Sequence, residues 1–203
     1  MIKCNVTVCG VIGRDASIRT NKEGKTFLVF PLRVMIPDTD GKTMPIEVDV
    51  SKDTAGKEVS KYRNGSRIEV SGTMYLKHRG DKLYFNLFIN EIRTATADAK
   101  DTVKGELVFR GKVGQHIEKK RDKKDQPYTM FSAFSTEKVE NGFEYQWVRF
   151  FCFGKEREAW LQPGVRVDAK GEISLSAYNG KLNVSCKVEE LVQYVADSSN
   201  SNQ

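Results

Sequence analysis

Apolar and polar positions alternate along most of this chain, which is the period of half-buried strands and not of helices. In the second half the pattern predicts strands near 105–114, 127–138, 144–153, 165–177 and 181–193. The last two meet at Asn179-Gly180, a dipeptide suited to a two-residue hairpin turn. Between the third and fourth lies KEREAWLQPG, read as a short helix stopped by Pro163-Gly164, with Trp160 and Leu161 as its apolar plug. One strand departs from the usual pattern. In WVRFFCFGK (147–155), Val148, Phe150 and Cys152 make an ordinary core face. The opposite face carries Trp147, Arg149, Phe151 and Phe153, with Lys155 just beyond. It is too aromatic for water and too cationic for a core. Taken alone, it fits a ligand groove and a protein interface equally well.

The pattern also repeats. GVIGRD (10–15) lines up with GKVGQH (111–116), which places Phe27 over Tyr128 and Phe30 over Phe131. RIEVSG (67–72) lines up with RVDAKG (166–171), and KLYFNLFINEI (82–92) with KLNVSCKVEEL (181–191). Matches in the same order, with a small change of offset, are what two copies of one domain with unequal loops produce. The helix of the first copy is expected near DTAGKEVSKYRNG, with Asp53 as its N-cap. Strand–strand–strand–helix–strand–strand in such a short span is the order of a five-stranded Greek-key barrel, the OB-fold. The expected architecture is all-β, with two tandem OB-folds: domain 1 at 1–93, a polar linker at 94–104, domain 2 at 105–194. A disordered polar tail is expected at 195–203.

Composition narrows the function classes. No apolar run approaches the roughly 20 residues of a membrane span, and MIKCNVTVCG lacks the apolar core of a signal peptide. A cytoplasmic protein is expected. Cys4, Cys9, Cys152 and Cys186 form no C-x-x-C pair, and His78 and His116 stand alone, so neither a metal site nor a cofactor is expected. No phosphate-cradling glycine motif and no nucleophile–base arrangement occurs, so an enzyme is not expected. The net charge of +6 permits a polyanionic partner.

The second copy resembles the bacterial single-stranded DNA-binding (SSB) family over most of 105–194. The resemblance rests on GKVGQ, FSAFSTEK, WVRFFCFGKEREAW and GVRVDAKGEIS, of which the W-x-R-x-x-x-F-G-K arrangement is the most specific. The first copy has IEVDVSKD where that signature would stand. The resemblance implies that Trp147 and Phe153 stack on bases while Arg149 and Lys155 meet phosphates. Tyr178 stands in place of a family tryptophan in the hairpin between the fourth and fifth strands. Another family tryptophan falls near Lys138, without an aromatic counterpart. Family members end in an acidic tip that recruits other proteins, and this sequence ends in SSNSNQ. Recruitment of that kind is therefore not expected, and the ending leaves a cellular, phage or mobile-element origin open.

Physical chemistry supports the same partner. Unpaired bases expose flat π surfaces, and each aromatic stack is worth about 1–3 kcal/mol regardless of sequence. Stacking candidates are Trp147, Phe153, Tyr178, Phe151 and Tyr75. Phosphate candidates are Arg149, Lys155, Lys112, the loop cations Lys119, Lys120, Arg121, Lys123 and Lys124, and Lys77 and Arg79 of the first copy. His78 reads as a solvated turn residue, Trp160 as core, and Phe27, Phe30 and Phe131 as secondary candidates. The expected activity is single-stranded DNA binding in replication, recombination or repair, by a homodimer that gathers four barrels. An adaptor of a replication or transfer complex and an RNA binder are the alternatives.

Overall fold

In the computed structural model, described for residues 2–39, 41–54, 58–80, 82–140, 142–154 and 157–195, alternation becomes strand almost everywhere. Eleven strands form: β1 Ile2–Ile12, β2 Ser17–Thr20, β3 Thr26–Pro37, β4 Thr43–Asp53, β5 Arg67–Arg79, β6 Lys82–Thr94, β7 Thr102–Arg121, β8 Pro127–Val139, β9 Gly142–Phe153, β10 Arg166–Tyr178 and β11 Lys181–Gln193. In the first copy β1 pairs with β3, β3 with β4, β4 in parallel with β6, β6 with β5, and β5 back with β1. In the second, β7 pairs with β8, β8 with β9, β9 in parallel with β11, β11 with β10, and β10 back with β7. Each circuit closes a five-stranded barrel with one parallel step. Both have the OB-fold topology. β2 is an extra element because the first copy's opening strand breaks at residues 13–16, where the second copy's β7 bulges between Val113 and Ile117.

The expected helices shrink. The first copy has a single 3-10 turn, Val59–Lys61, and the second has only turns over residues 157–164. The Arg157 guanidinium donates to the Leu161 carbonyl (2.9 and 2.6 Å) and to Gln162 Oε1 (2.9 Å), which holds the segment as a turn. Pro163 follows at once, leaving no length for a helix. The plug survives without it: Leu161 is buried, and Trp160 packs half-buried on the core. No helix among the described residues is long and apolar enough to cross a membrane.

The two opening strands, β1 and β7, pair with each other from Lys3↔Val108 to Cys9↔Thr102. Under the repeat offset Asn5 is equivalent to Glu106, and these two residues are partners in that ladder. On either side of that pair, Lys3↔Val108 and Cys4↔Leu107 map onto Thr7↔Lys104 and Val6↔Gly105 when the copies are exchanged. A local pseudo-two-fold axis therefore passes through Asn5 and Glu106, and the chain contains its own symmetric dimer. Residues 95–101 bridge the copies, and Asp101 is tied down there. Its carboxylate accepts from the Met35 N–H (2.7 Å) and pairs with Arg67. The buried side chains of both barrels form one continuous cluster.

The symmetry extends to the long hairpins. The β5–β6 tip reaches the second copy, where the Gly80 N–H donates to Glu144 Oε1 (3.1 Å). The β10–β11 tip reaches the first copy, where the Thr39 N–H donates to the Ala177 carbonyl (3.3 Å).

Candidate nucleic-acid interface

The outward face of the β8–β9 hairpin explains the sequence of WVRFFCF. β8 buries Thr129, Phe131, Ala133 and Ser135, which turns Tyr128, Met130, Ser132, Phe134, Thr136 and Lys138 outward. β9 buries Val148 and Phe150, which turns Phe143, Tyr145, Trp147, Arg149, Phe151 and Phe153 outward. The register sets these side by side: Tyr128 with Phe153, Met130 with Phe151, Ser132 with Arg149, Phe134 with Trp147, Thr136 with Tyr145, Lys138 with Phe143. At ~3.3 Å per residue the stripe runs for ~33 Å. Rings along it touch, with Tyr128–Phe153 centroids at 5.0 Å and Phe134–Trp147 at 4.8 Å. They stay open to solvent even so, Trp147 at 50% and Phe143 at 60%. A ring cluster left this exposed is unusual without a partner.

Cations flank the rings, and the stripe contains no acid. Lys112 lies across the ladder from Phe134 on one side and from Arg166 on the other, so Arg166, Lys112, Phe134 and Trp147 form one row. Arg149 makes no ion pair within the described residues; Glu118, which feels its charge, is paired with Lys120 at 2.9 Å. The hydrogen bond and charge of Lys120 hold the Glu118 carboxyl below the usual carboxylate range. Of the loop cations, Arg121 is tied to Asp125 (3.0 Å), while Lys119, Lys123 and Lys124 form no ion pair among the described residues. Lys155 lies outside the described residues.

Gly114 is the seat of the indole. A Cβ built there would stand 3.0 Å from Trp147 Cζ3 and 3.1 Å from the Ser132 carbonyl oxygen. The Trp147 ring thus lies across bare backbone, wedged against Phe134.

Four rings of this surface, Phe143, Tyr145, Phe134 and Tyr128, were not among the sequence candidates. The alternation that singled out Trp147 continues upstream through FEYQW, and would have given Phe143 and Tyr145 had the strand been followed to its start. Phe134 and Tyr128 needed the β8 facing. Phe131 and Phe30, secondary candidates, are core residues at 1% and 3% exposure. Phe27 is half-buried beneath the Lys25 ammonium, 5.4 Å from its ring centre. Tyr178 is exposed at the β10–β11 tip and does not line the cavity beside Trp147. Tyr75 lies edge-on to Phe88 in the first barrel, at 6.2 Å.

The first copy's matching face has a different chemistry. Its cross-strand pairs are Phe27 with Asp53, Val29 with Ser51, Pro31 with Asp49, Arg33 with Glu47, Met35 with Pro45 and Pro37 with Thr43. Glu47 stands where Trp147 stands, Asp49 where Arg149 stands, and Asp53 where Phe153 stands. Lys25 pairs with Asp53 (2.7 Å) and Arg14 with Glu47 (3.7 Å). The extra positive charge of the first half does not sit on this strand.

No family model and no curated protein matches the chain. Among solved structures, the wild-type single-stranded DNA binding protein from Thermus aquaticus aligns over 100% of this chain and 97% of its own, at 12% identity and a TM-score of 0.47. The small single-stranded DNA-binding protein from Streptomyces coelicolor covers 45% of this chain and 94% of its own, at 12% identity and 0.36. The Plasmodium falciparum SSB in complex with ssDNA covers 45% and 95%, at 18% identity and 0.35. Overlaps this loose add nothing to the topology already given by strand pairing.

Proposed function

We propose that the protein binds single-stranded DNA, without strong sequence preference, on the outward face of β8–β9. One observation carries the reading: a continuous stripe of exposed rings, interrupted by Arg149, flanked by Lys112 and Arg166, and free of acids. Stacking serves every base alike, and the cations meet the phosphates between splayed bases. Protein–protein interfaces are depleted in lysine, and the lysines beside the rings, Lys112 among them, set this surface apart from an adaptor's contact. Trp147, Phe153, Phe151, Phe134 and Tyr145 are the stacking residues. Arg149, Lys112, Lys155, Lys119, Lys120, Arg121, Lys123 and Lys124 supply the charge. The barrels act as two domains, 1–93 and 105–194 on a linker at 94–104, with binding concentrated in the second. Its role is the protection of single strands in replication, recombination or repair, as a non-enzymatic protein of the cytoplasm, and the working unit is a homodimer.

Titration with oligo(dT), oligo(rU) and duplex DNA, followed by tryptophan fluorescence at two salt concentrations, tests the reading. Oligo(dT) should quench most of the emission, duplex DNA should not, and oligo(rU) should bind more weakly. Trp147→Ala should remove most of the quenching and weaken oligo(dT) by about 1–3 kcal/mol. Full quenching by duplex alone, or none by any of the three, would refute it.

A further inference from the structure

β9 and β11 pair over only three residues, Arg149 to Phe151 against Ser185 to Lys187. Upstream of Arg149 they splay, and a cavity of about 240 Å³ opens between them. Trp147, Arg149, Tyr145 and Ser132, all members of the outward stripe, line it together with Asn183 of β11. Gln146, Val148, Leu182 and Val184 complete the second barrel's share of the lining, and His78, on the β5–β6 hairpin of the first copy, joins it from the other barrel. A second cavity, about 500 Å³, is also lined by His78, together with Lys77, Arg79, Lys138, Glu137, Glu140 and Glu144. His78 therefore borders both.

We propose that the second barrel's DNA site is shared with the first: the β5–β6 hairpin closes it, with His78 against the nucleotide held at Trp147 and Lys77 and Arg79 on the next phosphates. This rests on the proposed function above and goes beyond it, because it assigns the first copy a direct part in a site it does not build itself. Chemistry decides between the cavities. The smaller is lined by Arg149 and His78 with no carboxylate, and its volume, below the roughly 300–1,000 Å³ of sites for whole drug-sized molecules, suits one unit of a chain passing through. The larger carries three carboxylates, which repel a phosphate chain, beside Lys77 and Arg79, so the strand meets it only at those two cations and turns away there. The first barrel's own face, with Glu47, Asp49 and Asp53 in place of Trp147, Arg149 and Phe153, is left out of the path.

The test compares three variants of the full chain by oligo(dT) titration: Lys77→Gln with Arg79→Gln, His78→Ala, and, on the first barrel's own face, Arg14→Gln with Arg19→Gln, Arg19 lying on β2 across the ladder from Phe27. The hairpin pair should make the log–log salt dependence shallower by about 1.4, two phosphates at ~0.7 each. His78→Ala should weaken binding about five-fold or more, the lower end of one stacking contact. The Arg14/Arg19 pair should leave affinity and slope unchanged. If both hairpin variants match the wild type while Trp147→Ala still loses the quenching, the site belongs to the second barrel alone and the sharing is wrong. If the Arg14/Arg19 pair flattens the slope as much as the hairpin pair, the first barrel's own face lies on the path, and the shared site as stated is wrong. If the wild type shows no quenching, both readings fall.

Discussion

Single residues decide where the rings sit. Gly114 and Gly13 are equivalent in the two copies, yet a Cβ at Gly13 would meet only Pro31, at an ordinary 3.7 Å. Gly114→Ala should tilt the indole off its seat, shifting the emission of the free protein and weakening oligo(dT) several-fold, on the order of 1 kcal/mol. Gly13→Ala should change neither, and equal effects from both would mean that the Trp147 seat is irrelevant to binding. The cysteines belong to the core. Burial, aided by Cys186, pushes the Cys4 thiol up to about 12, and burial pushes Cys186 to about 12 as well. At pH 8 neither should react with a thiol reagent until the protein is unfolded. A raised native value stabilises fully below the ordinary thiol value of 9 and is lost as pH rises toward 12, so stability should decline across that alkaline window, measured by denaturant titration.

Among the elements, the fourth strand of each barrel turns on a glycine. β5 bulges between Ser71 and Gly72, and β10 between Lys170 and Gly171, each opposite the closing strand of its own barrel. A Cβ at Gly72 or Gly171 would lie 2.1 Å from the carbonyl oxygen of Phe88 or Lys187. That neighbour is backbone and cannot swing away. Gly171→Ala should therefore destabilise the second barrel by about 1–3 kcal/mol in a denaturant titration, the usual cost of overpacking. Because the alanine faces away from Trp147, the oligo(dT) affinity of the folded fraction should stay within two-fold or so, less than the loss of one stack. Both bulge glycines were visible as the last residues of RIEVSG and RVDAKG. Their role was not, since a glycine in a strand reads the same at a bulge, a bend or a close crossing.

For the whole molecule, the internal pseudo-dyad limits how chains can associate. The β1–β7 ladder consumes the opening-strand edges of both copies, so two chains must meet through another surface. Exposed apolar side chains at Val192 of the second copy and Val195 just beyond it lie outside the ring stripe and offer one. Light scattering at micromolar concentration without DNA should give twice the 23.0 kDa chain mass. A single-chain mass that does not change with concentration would leave the linked barrels as the whole binding unit. What the sequence determined by itself was the local and the repeated. Alternation placed the strands, Asn179-Gly180 placed a turn whose two residues have positive φ (50° and 72°), and the repeat announced two barrels of one topology. It also marked Trp147, Arg149, Phe151 and Phe153 as one face, because side chains two apart on a strand must share a side. Only the tertiary structure decided which strand lies beside that face, and so brought in Phe134 and Tyr128 and set Lys112 in their row. It alone set β1 against β7, and the long hairpin of each copy against the other. Contacts of that kind depend on how two closed barrels dock, a matter of edges and shape that no local period encodes, and so His78, read as a solvated turn residue, stands in the wall beside Trp147.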